Sequence, residues 1–485
     1  MNTSRGRLLT TCFAALVATS FGFVLRAFVI EDWGHEFSLT ETQKGELLGV
    51  GLWPFAISIV LFSLIIDRVG YRFAMWFAFA CHVVSAIVTI TATNYWSLYI
   101  GTFIVALGNG TVEAAVNPAI ASAYSDERTR ALNRLHAGWP AGLVLGGLLA
   151  LAIGGFDWRA KIALILLPTI VYGALLLRQP FPVSERVAQG VPWREMLRTV
   201  GGIGAAIFIA LMITELGRVF GWSLATRVVT GLVLLGAFVC FARSWGHPVF
   251  LALLLLMIPL ATTELGTDSW ISDLLAPQMQ SLGMSPGWVL IWTSFLMMVL
   301  RFNAGPFVRL FTPLGLLSVA SVIAAIGLVL LSRASGIAIL LAATVYGLGK
   351  AFFWPTILGV VAERFPRGGA LPLNMVAGVG MLSVGIVGAV LMGYAQDRAV
   401  SRTLERFDAA NGTQLSAQFL IDAESGVLGA YRALDMRALD AASAQEQALV
   451  GELRAGARQS ALRGMAVLPL LMALGFFALF LTLRR

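Results

Sequence analysis

Apolar runs about 20 residues long recur along this chain, and about 20 residues of helix span the ~30 Å hydrocarbon core of a bilayer. Fourteen such runs are read, at 8–30, 45–66, 73–93, 97–123, 132–154, 159–177, 201–217, 225–242, 247–265, 288–308, 313–332, 336–362, 371–395 and 464–483. Inside hydrocarbon every backbone N–H and C=O must be paired within its own segment, so each run is expected to be a helix. Composition agrees. Of 485 residues, 58% are hydrophobic and 12% charged, against the ~25% charge of an average soluble protein. So few charges cannot cover a water-soluble globule of this size. That excludes a cytosolic enzyme, a nucleic-acid binder and a disordered scaffold. The expected fold class is an all-α polytopic membrane protein.

The charges that remain set an orientation. An even number of spans puts both termini on one side. With the amino terminus inside, the short inside loops, tails and helix ends collect 17 arginines, from Arg5 and Arg7 to Arg484 and Arg485, against six Lys plus Arg outside. Basic residues hold loops on the cytoplasmic side, so the expectation is a cytoplasmic (inner) membrane with both termini cytoplasmic. The net charge of +8 then reports topology, not nucleic acid. Cys12, Cys81 and Cys240 lie in apolar runs and make neither a ligand spacing nor a disulfide framework. Arg5 and Arg7 precede an apolar run too long for a signal-peptide core, so the first run is read as a retained helix.

Two connectors stand out. Residues 178–200 form a polar, Arg- and Pro-containing cytoplasmic linker, and residues 396–463 form an outside segment whose composition suits one or two amphipathic helices. The spans divide as six, two and six. The reading is an amino-terminal six-helix bundle (1–177), two inserted helices (201–246), and a carboxy-terminal bundle of five helices (247–395) completed by the last span (464–485). Two six-helix halves with a site between them is the logic of a secondary transporter.

Motifs sharpen this. Ser63-Leu-Ile-Ile-Asp67-Arg68-Val-Gly70-Tyr-Arg72 falls in the short inside loop after the second span. It resembles the G-x-x-x-D-R-x-G-x-R signature of the major facilitator superfamily, with Ser63 in place of the leading glycine. Gly70 permits a tight turn. Asp67 can pair with Arg68, Arg72 or a neighbouring helix end, a charge cluster able to latch one half against the other. In the fourth span, Gly108-Asn-Gly110-Thr-Val-Glu113-Ala-Ala-Val-Asn117-Pro118 places a carboxylate four residues before an amide. This string resembles the fourth helix of the fucose–galactose–glucose:proton symporter family. So do Asn133-Arg-Leu-His136-Ala-Gly-Trp139-Pro-Ala-Gly142, Arg301-Phe-x-x-Gly305, Trp354-Pro-Thr-Ile357 and Ser38-Leu-Thr-x-x-Gln43-x-Gly45, in the same order along both halves. The resemblance implies a major facilitator fold, two six-helix bundles here carrying two extra helices, and proton-coupled sugar symport. The chain departs from the family at the first helix: where relatives place a coupling acid, it has Phe23-Val-Leu-Arg26-Ala27.

Charges within or at the edges of spans are expensive, about 2.5–3.5 kcal/mol each on insertion scales, and should pair or line water. Seven stand out: Arg26, Glu113, Glu215, Glu264, Asp268, Arg301 and Lys350. Glu113 is the leading candidate for binding and proton coupling, either as a neutral acid bonding hydroxyls or as a carboxylate paired with Arg26. Arg26 could instead hold an acidic solute in a bidentate grip. Candidate solute contacts are Glu113, Asn117, His136, Trp139, Asp268, Trp270, Lys350 and Trp354, with indoles stacking on a sugar's C–H face. Candidate gating residues are Asp67, Arg68, Arg72, Glu264 and Arg301. Glu264 and Asp268, four apart on one helix face, read as an outer lip of the cavity. A Lys350 bridge to Asp268 or Glu264, and a Glu215–Arg218 pair, are the structural alternatives.

The expected activity is secondary transport of a monosaccharide or related polyhydroxy solute, coupled to protons, by a monomer in the bilayer. No cofactor, metal or nucleic-acid partner is implied. Two alternatives stay open. One is a drug or metabolite efflux antiporter of the same superfamily, suggested by Pro140-Ala-Gly-x-x-x-Gly146-Gly147. The other is a membrane sensor that reads its outer segment without transporting.

Overall fold

A computed structural model describes residues 2–39, 41–426 and 429–483. Among them, twelve helices are long and apolar enough to cross a membrane. They become thirteen when the pair Gly287–Phe302 and Ala304–Phe311, bent by 69°, counts as one span. The chain is therefore an all-α polytopic membrane protein, with one small exception noted below. The expected spans 45–66 and 73–93 are two limbs of one helical stretch, Gln43–Ile90, 48 residues long. At 1.5 Å per residue that is about 72 Å, roughly twice a bilayer core. The break falls at Gly70, whose φ of 80° and ψ of 153° are not helical. The glycine of the loop signature is thus the hinge between limbs, because only glycine takes such a backbone without strain.

Close approach is bought with small residues. A side chain on Gly110 of helix Tyr95–Ala123 would collide with the Phe55 backbone, and one on Gly142 would strike Ser20 and Val17 of the first helix. Such contacts let helices associate where lipid offers no hydrophobic drive. Two π-turns interrupt the carboxy-terminal spans, Thr262–Gly266 and Val384–Gly388. They pack on each other through Gly266 and Gly388, where a Cβ on the first would sit 3.8 Å from the second's Cα. Glu264 lies in the first of these turns and is 2% exposed. It is part of the interior, not the expected lip. The helix continues past it instead of ending there.

Contacts between the first 177 residues and the later spans run along the whole interface. Asn374 Nδ2 donates to Ser63 Oγ (2.7 Å) and to the Ala114 carbonyl (3.1 Å). Gly147 faces Ile291, and Phe13 meets Phe302 at 5.4 Å between ring centres. Helix Trp193–Val219 packs against helices Ala370–Ser383 and Pro248–Ala261. Its follower Leu224–Ala242 packs on Trp193–Val219 and otherwise shows its apolar surface outward, as a lipid-facing helix does. Arg218 holds Glu215 at 2.5 Å, the simple pairing their spacing suggested.

The segment 396–463 departs from the all-helical expectation. Helices Ala389–Asn411 and Ala444–Met465 flank an antiparallel hairpin, β1 (Leu420–Gly426) with β2 (Gly429–Leu434), in register Leu420 to Leu434. It has a small core of its own, including Val400, Leu404, Phe419, Leu439 and Val450. Gln459 ties it down, donating to the Leu331 and Ala334 carbonyls (2.8 and 2.7 Å) and accepting from Gln278. Asp408 caps the turn after the first helix, accepting from Thr413 Oγ1 and the Leu415 and Ser416 N–H groups.

Burial raises the Asp408 acid, but those hydrogen bonds outweigh it and hold it near 2, below the ordinary 3.8. A carboxyl with a depressed value stabilises the fold above its unfolded value and loses that contribution as pH falls through the folded one. Relative to the intrinsic exchange rate at each pH, the Leu415 and Ser416 N–H groups should therefore be well protected at pH 5 and lose that protection between about pH 4 and 2. Asp408→Ala should abolish that pH dependence. Equal exchange in both proteins across the range would refute the cap.

Candidate functional site

The spans converge on one buried cavity lined by Phe55, Glu113, His136, Trp139, Glu264, Leu265, Arg301, Trp354 and Met381. In this conformation it leaves about 20 Å³ for water centres, room for about one water molecule. The conformation is contracted, too tight for a monosaccharide. Four of the eight expected solute contacts line it: Glu113, His136, Trp139 and Trp354. Glu264 and Arg301, assigned from sequence to gating, line it as well. Phe55, Leu265 and Met381 were missed, since apolar residues in apolar helices carry no signal of their own.

Arg301 is the hub of the site. It is 1% exposed. Its Nε donates to the Ala351 carbonyl (2.6 Å), one terminal nitrogen to the His136 carbonyl (3.0 Å), and the other to Glu264 Oε1 (2.6 Å). The second Glu264 oxygen accepts from the Trp354 N–H (3.1 Å), at the start of helix Phe353–Arg364. Both Glu264 oxygens and all three Arg301 nitrogens thus have partners, as burial demands. Removing one partner of such a pair strands the other, at about 3–5 kcal/mol.

Glu113 is held differently. Asn117, one turn along the same helix, donates its amide to Glu113 Oε2 at 2.7 Å. The Asn117 carbonyl oxygen then faces His136 Nε2 at 2.8 Å. An amide oxygen only accepts, so His136 carries its proton on Nε2. That nitrogen is 4.0 Å from Glu113 Oε2. No Lys or Arg makes an ion pair with Glu113 among the described residues. The expected Arg26–Glu113 pair does not form. Arg26 turns into the amino-terminal bundle, donating to the Gly22 carbonyl (3.1 Å) and to Ser85 Oγ (2.8 Å), and its Nε has no partner. It does not line the cavity, which removes the geometric basis for Arg26 as a proton-coupling partner or solute ligand.

Lys350 and Asp268 form an ion pair beside the hub, with Lys350 fully buried and 5.1 Å from the Tyr346 ring centre. The pairing alternative holds for both residues, and neither lines the cavity. Asn117, fully buried, acts behind Glu113. The Trp354 indole N–H is buried and has no partner. The side chain of Trp270, and the terminal pair Arg484 and Arg485, lie outside the described residues.

The linker face carries a second polar cluster. Asp67 pairs with neither Arg68 nor Arg72, which are exposed and make no ion pair among the described residues. Its partner is Arg186 of the linker, at 2.8 and 2.5 Å. The preceding linker residue, Glu185, accepts Arg128 on both oxygens at 2.8 Å. Arg128 also donates to the Ala362 carbonyl (2.7 Å), and Thr129 donates to Glu363 (2.5 Å). Asn133 reaches Thr356 at 3.2 Å. The two halves are therefore bolted together here through residues 128–133 and 356–363, with the linker locking the bolt. The sequence flagged Asp67 but could not supply its long-range partner.

Residues 8–258 match the Major Facilitator Superfamily. A probable sugar efflux transporter of Pasteurella multocida is 26% identical over 173 residues, 35% of this chain and 42% of that protein. The chain thus aligns with less than half of that relative's length. Among solved structures, the human organic anion transporter MFSD10 is similar with a TM-score of 0.61 at 13% identity, over 97% of this chain and 99% of that one. The proton:xylose symporter XylE bound to 6-bromo-6-deoxy-D-glucose gives 0.61 at 14%, over 97% and 95%. The E. coli fucose:proton symporter gives 0.55 at 13%, over 95% and 97%. At these identities the structures establish the fold.

The bolt makes a prediction. In a chain with Cys12, Cys81 and Cys240 replaced by serine and Ala121→Cys added, labelling by a membrane-impermeant maleimide from the linker face should be slow. Adding Arg128→Gln and Glu363→Gln should raise the rate several-fold. An unchanged rate would show that these bonds do not hold that face closed.

Proposed function

The chain belongs to the Major Facilitator Superfamily, and from that premise we propose that this transporter moves a monosaccharide or related polyhydroxy solute by alternating access, in symport with protons. That it is a multi-pass membrane transporter and not an enzyme follows from the family. The solute class and the coupling are our reading.

One observation carries it: Glu113 is the one acid lining the cavity that has no Lys or Arg in contact among the described residues. A carboxylate in that position is costly, whereas the neutral acid needs no counter-ion. Glu113 therefore takes up a proton in the contracted state and gives it up when the cavity opens to water. As a neutral or charged group it bonds hydroxyls. The unpartnered Trp354 indole N–H supplies a donor for a solute oxygen, and Trp139 supplies an aromatic wall. With Arg26 outside the cavity, no free Lys or Arg among the described residues lines it to select an anionic solute.

The remaining topology is read as follows. The two limbs of Gln43–Ile90 count as separate crossings, which gives fourteen. The arginine-rich linker face is cytoplasmic, both termini lie inside, and residues 396–463 face outward from the cytoplasmic membrane. The branch is that of the fucose–galactose–glucose:proton symporters, and the working unit is a monomer.

Efflux is the second reading, favoured by the similarity to a probable sugar efflux transporter. It uses the same site with the direction reversed.

The test uses proteoliposomes. An imposed proton gradient should drive accumulation of the solute in wild type. Glu113→Gln, permanently neutral, should reduce accumulation to the equilibrium level while leaving solute exchange within about threefold. Undiminished accumulation in the variant would end the proton-coupling reading. Proton-driven export from loaded, oppositely energised vesicles would replace symport with antiport.

A further inference from the structure

The cavity is lined by two acids contributed from opposite halves and by one guanidinium, which bonds one of them. Glu264 belongs to the carboxy-terminal spans and Glu113 to the amino-terminal ones. Arg301 bonds Glu264 directly, and across the interface it bonds the His136 carbonyl. The His136 ring in turn holds Asn117, which holds Glu113. Glu113 and Arg301 line the same water-sized space. Among the described residues, the titratable and charged groups that line this space with Glu113 are His136 from the next helix and Arg301 and Glu264 from the other half, while Asn117 bonds it from its own helix. Lys350 and Asp268 neutralise each other beyond them.

We propose that Arg301 is a movable counter-ion that couples the halves, held by Glu264 while Glu113 carries a proton and shared with Glu113 once that proton leaves. This rests on the reading of Glu113 as the proton site and assigns the residue that transmits its state. The physical basis is that a guanidinium stays charged at any working pH, and a buried charge is held most favourably beside an opposite one. Arg301 has five N–H donors in a planar fork and can serve two carboxylates. Its bond to His136 crosses the interface between halves, so separating the halves breaks it and frees one side of the fork. Loss of the Glu113 proton creates a second anion in that space. The guanidinium then turns toward it, loosening the contracted arrangement. Arg301 is a positioning residue here; it acts on solute through the two acids.

The proposal predicts shifts of opposite sign, which a merely structural role would not produce. The readout is solute counterflow in proteoliposomes as a function of pH, with no gradient imposed. Glu264→Gln removes the competing anion, leaves Arg301 to Glu113 and should move the pH midpoint of exchange down by half a unit or more. Arg301→Lys keeps the charge but loses the fork. Its ammonium stays with Glu264, and the midpoint should move up. Either variant alone suffices if the other fails to insert, as judged by monodisperse elution. A wild-type midpoint that Glu113→Gln abolishes, but that neither substitution moves, overturns this inference alone. Shifts in the same direction do so as well. A wild type with no midpoint removes the parent reading and this one together.

Discussion

A charge moved into hydrocarbon must find its partner there, and in this molecule the partner of Arg301 organises the centre. The guanidinium is satisfied by three segments at once, the Ala351 carbonyl, the His136 carbonyl and Glu264. Glu264 can reach it because a π-turn, Thr262–Gly266, rotates the helix locally and packs against a second π-turn at Val384–Gly388. Single π-turns are uncommon and often mark functional positions. Here the irregular backbone is tolerated because it is buried in protein, at the cavity wall, and not facing lipid.

The same rule explains how the halves meet. At the centre they share Arg301. At the linker face they share Arg128, Thr129 and Asn133 with Ala362, Glu363 and Thr356. These bonds are few, directional and partly buried, so they can form in one arrangement and be absent in another. Apolar contacts such as Gly147 with Ile291 are non-specific by comparison. The linker residues Glu185 and Arg186 reach two separate helices of the amino-terminal half, which makes the connector a part of the closure and not a passive tether. Helix Leu224–Ala242, by contrast, contributes little beyond its contact with Trp193–Val219.

What the sequence made legible follows the range of the interaction. Spans were legible because hydrophobicity over 20 residues is a local property, and Gly70 was legible because a turn is local too. Glu113 with Asn117 was legible at a spacing of four on one helix. Lys350 with Asp268 could be guessed because buried ions must pair. Which ions pair was harder. Arg26 and Glu113 looked like partners, yet the first helix turns Arg26 toward Ser85, and helix rotation is set by packing that no single sequence displays. Glu264 looked like a helix-end charge because a π-turn leaves no residue pattern. The hairpin at 420–434 was hidden by alanine-rich surroundings, its glycines at 426 and 429 being the one available signal. Arg186 and Glu185 were legible only as linker charges.

The central claim is that the cavity takes an uncharged polyhydroxy solute, with aromatic walls and hydrogen bonds in place of a free counter-charge. Counterflow in proteoliposomes tests it most directly, because exchange needs no driving force and separates recognition from coupling. Vesicles would be loaded in turn with neutral hexoses and pentoses, sugar acids, and lipophilic cations, and entry of the labelled form followed. The account predicts exchange of a neutral sugar, reduced at least tenfold by Trp139→Ala. Exchange confined to sugar acids or to lipophilic cations, with neutral sugars inert, would contradict it.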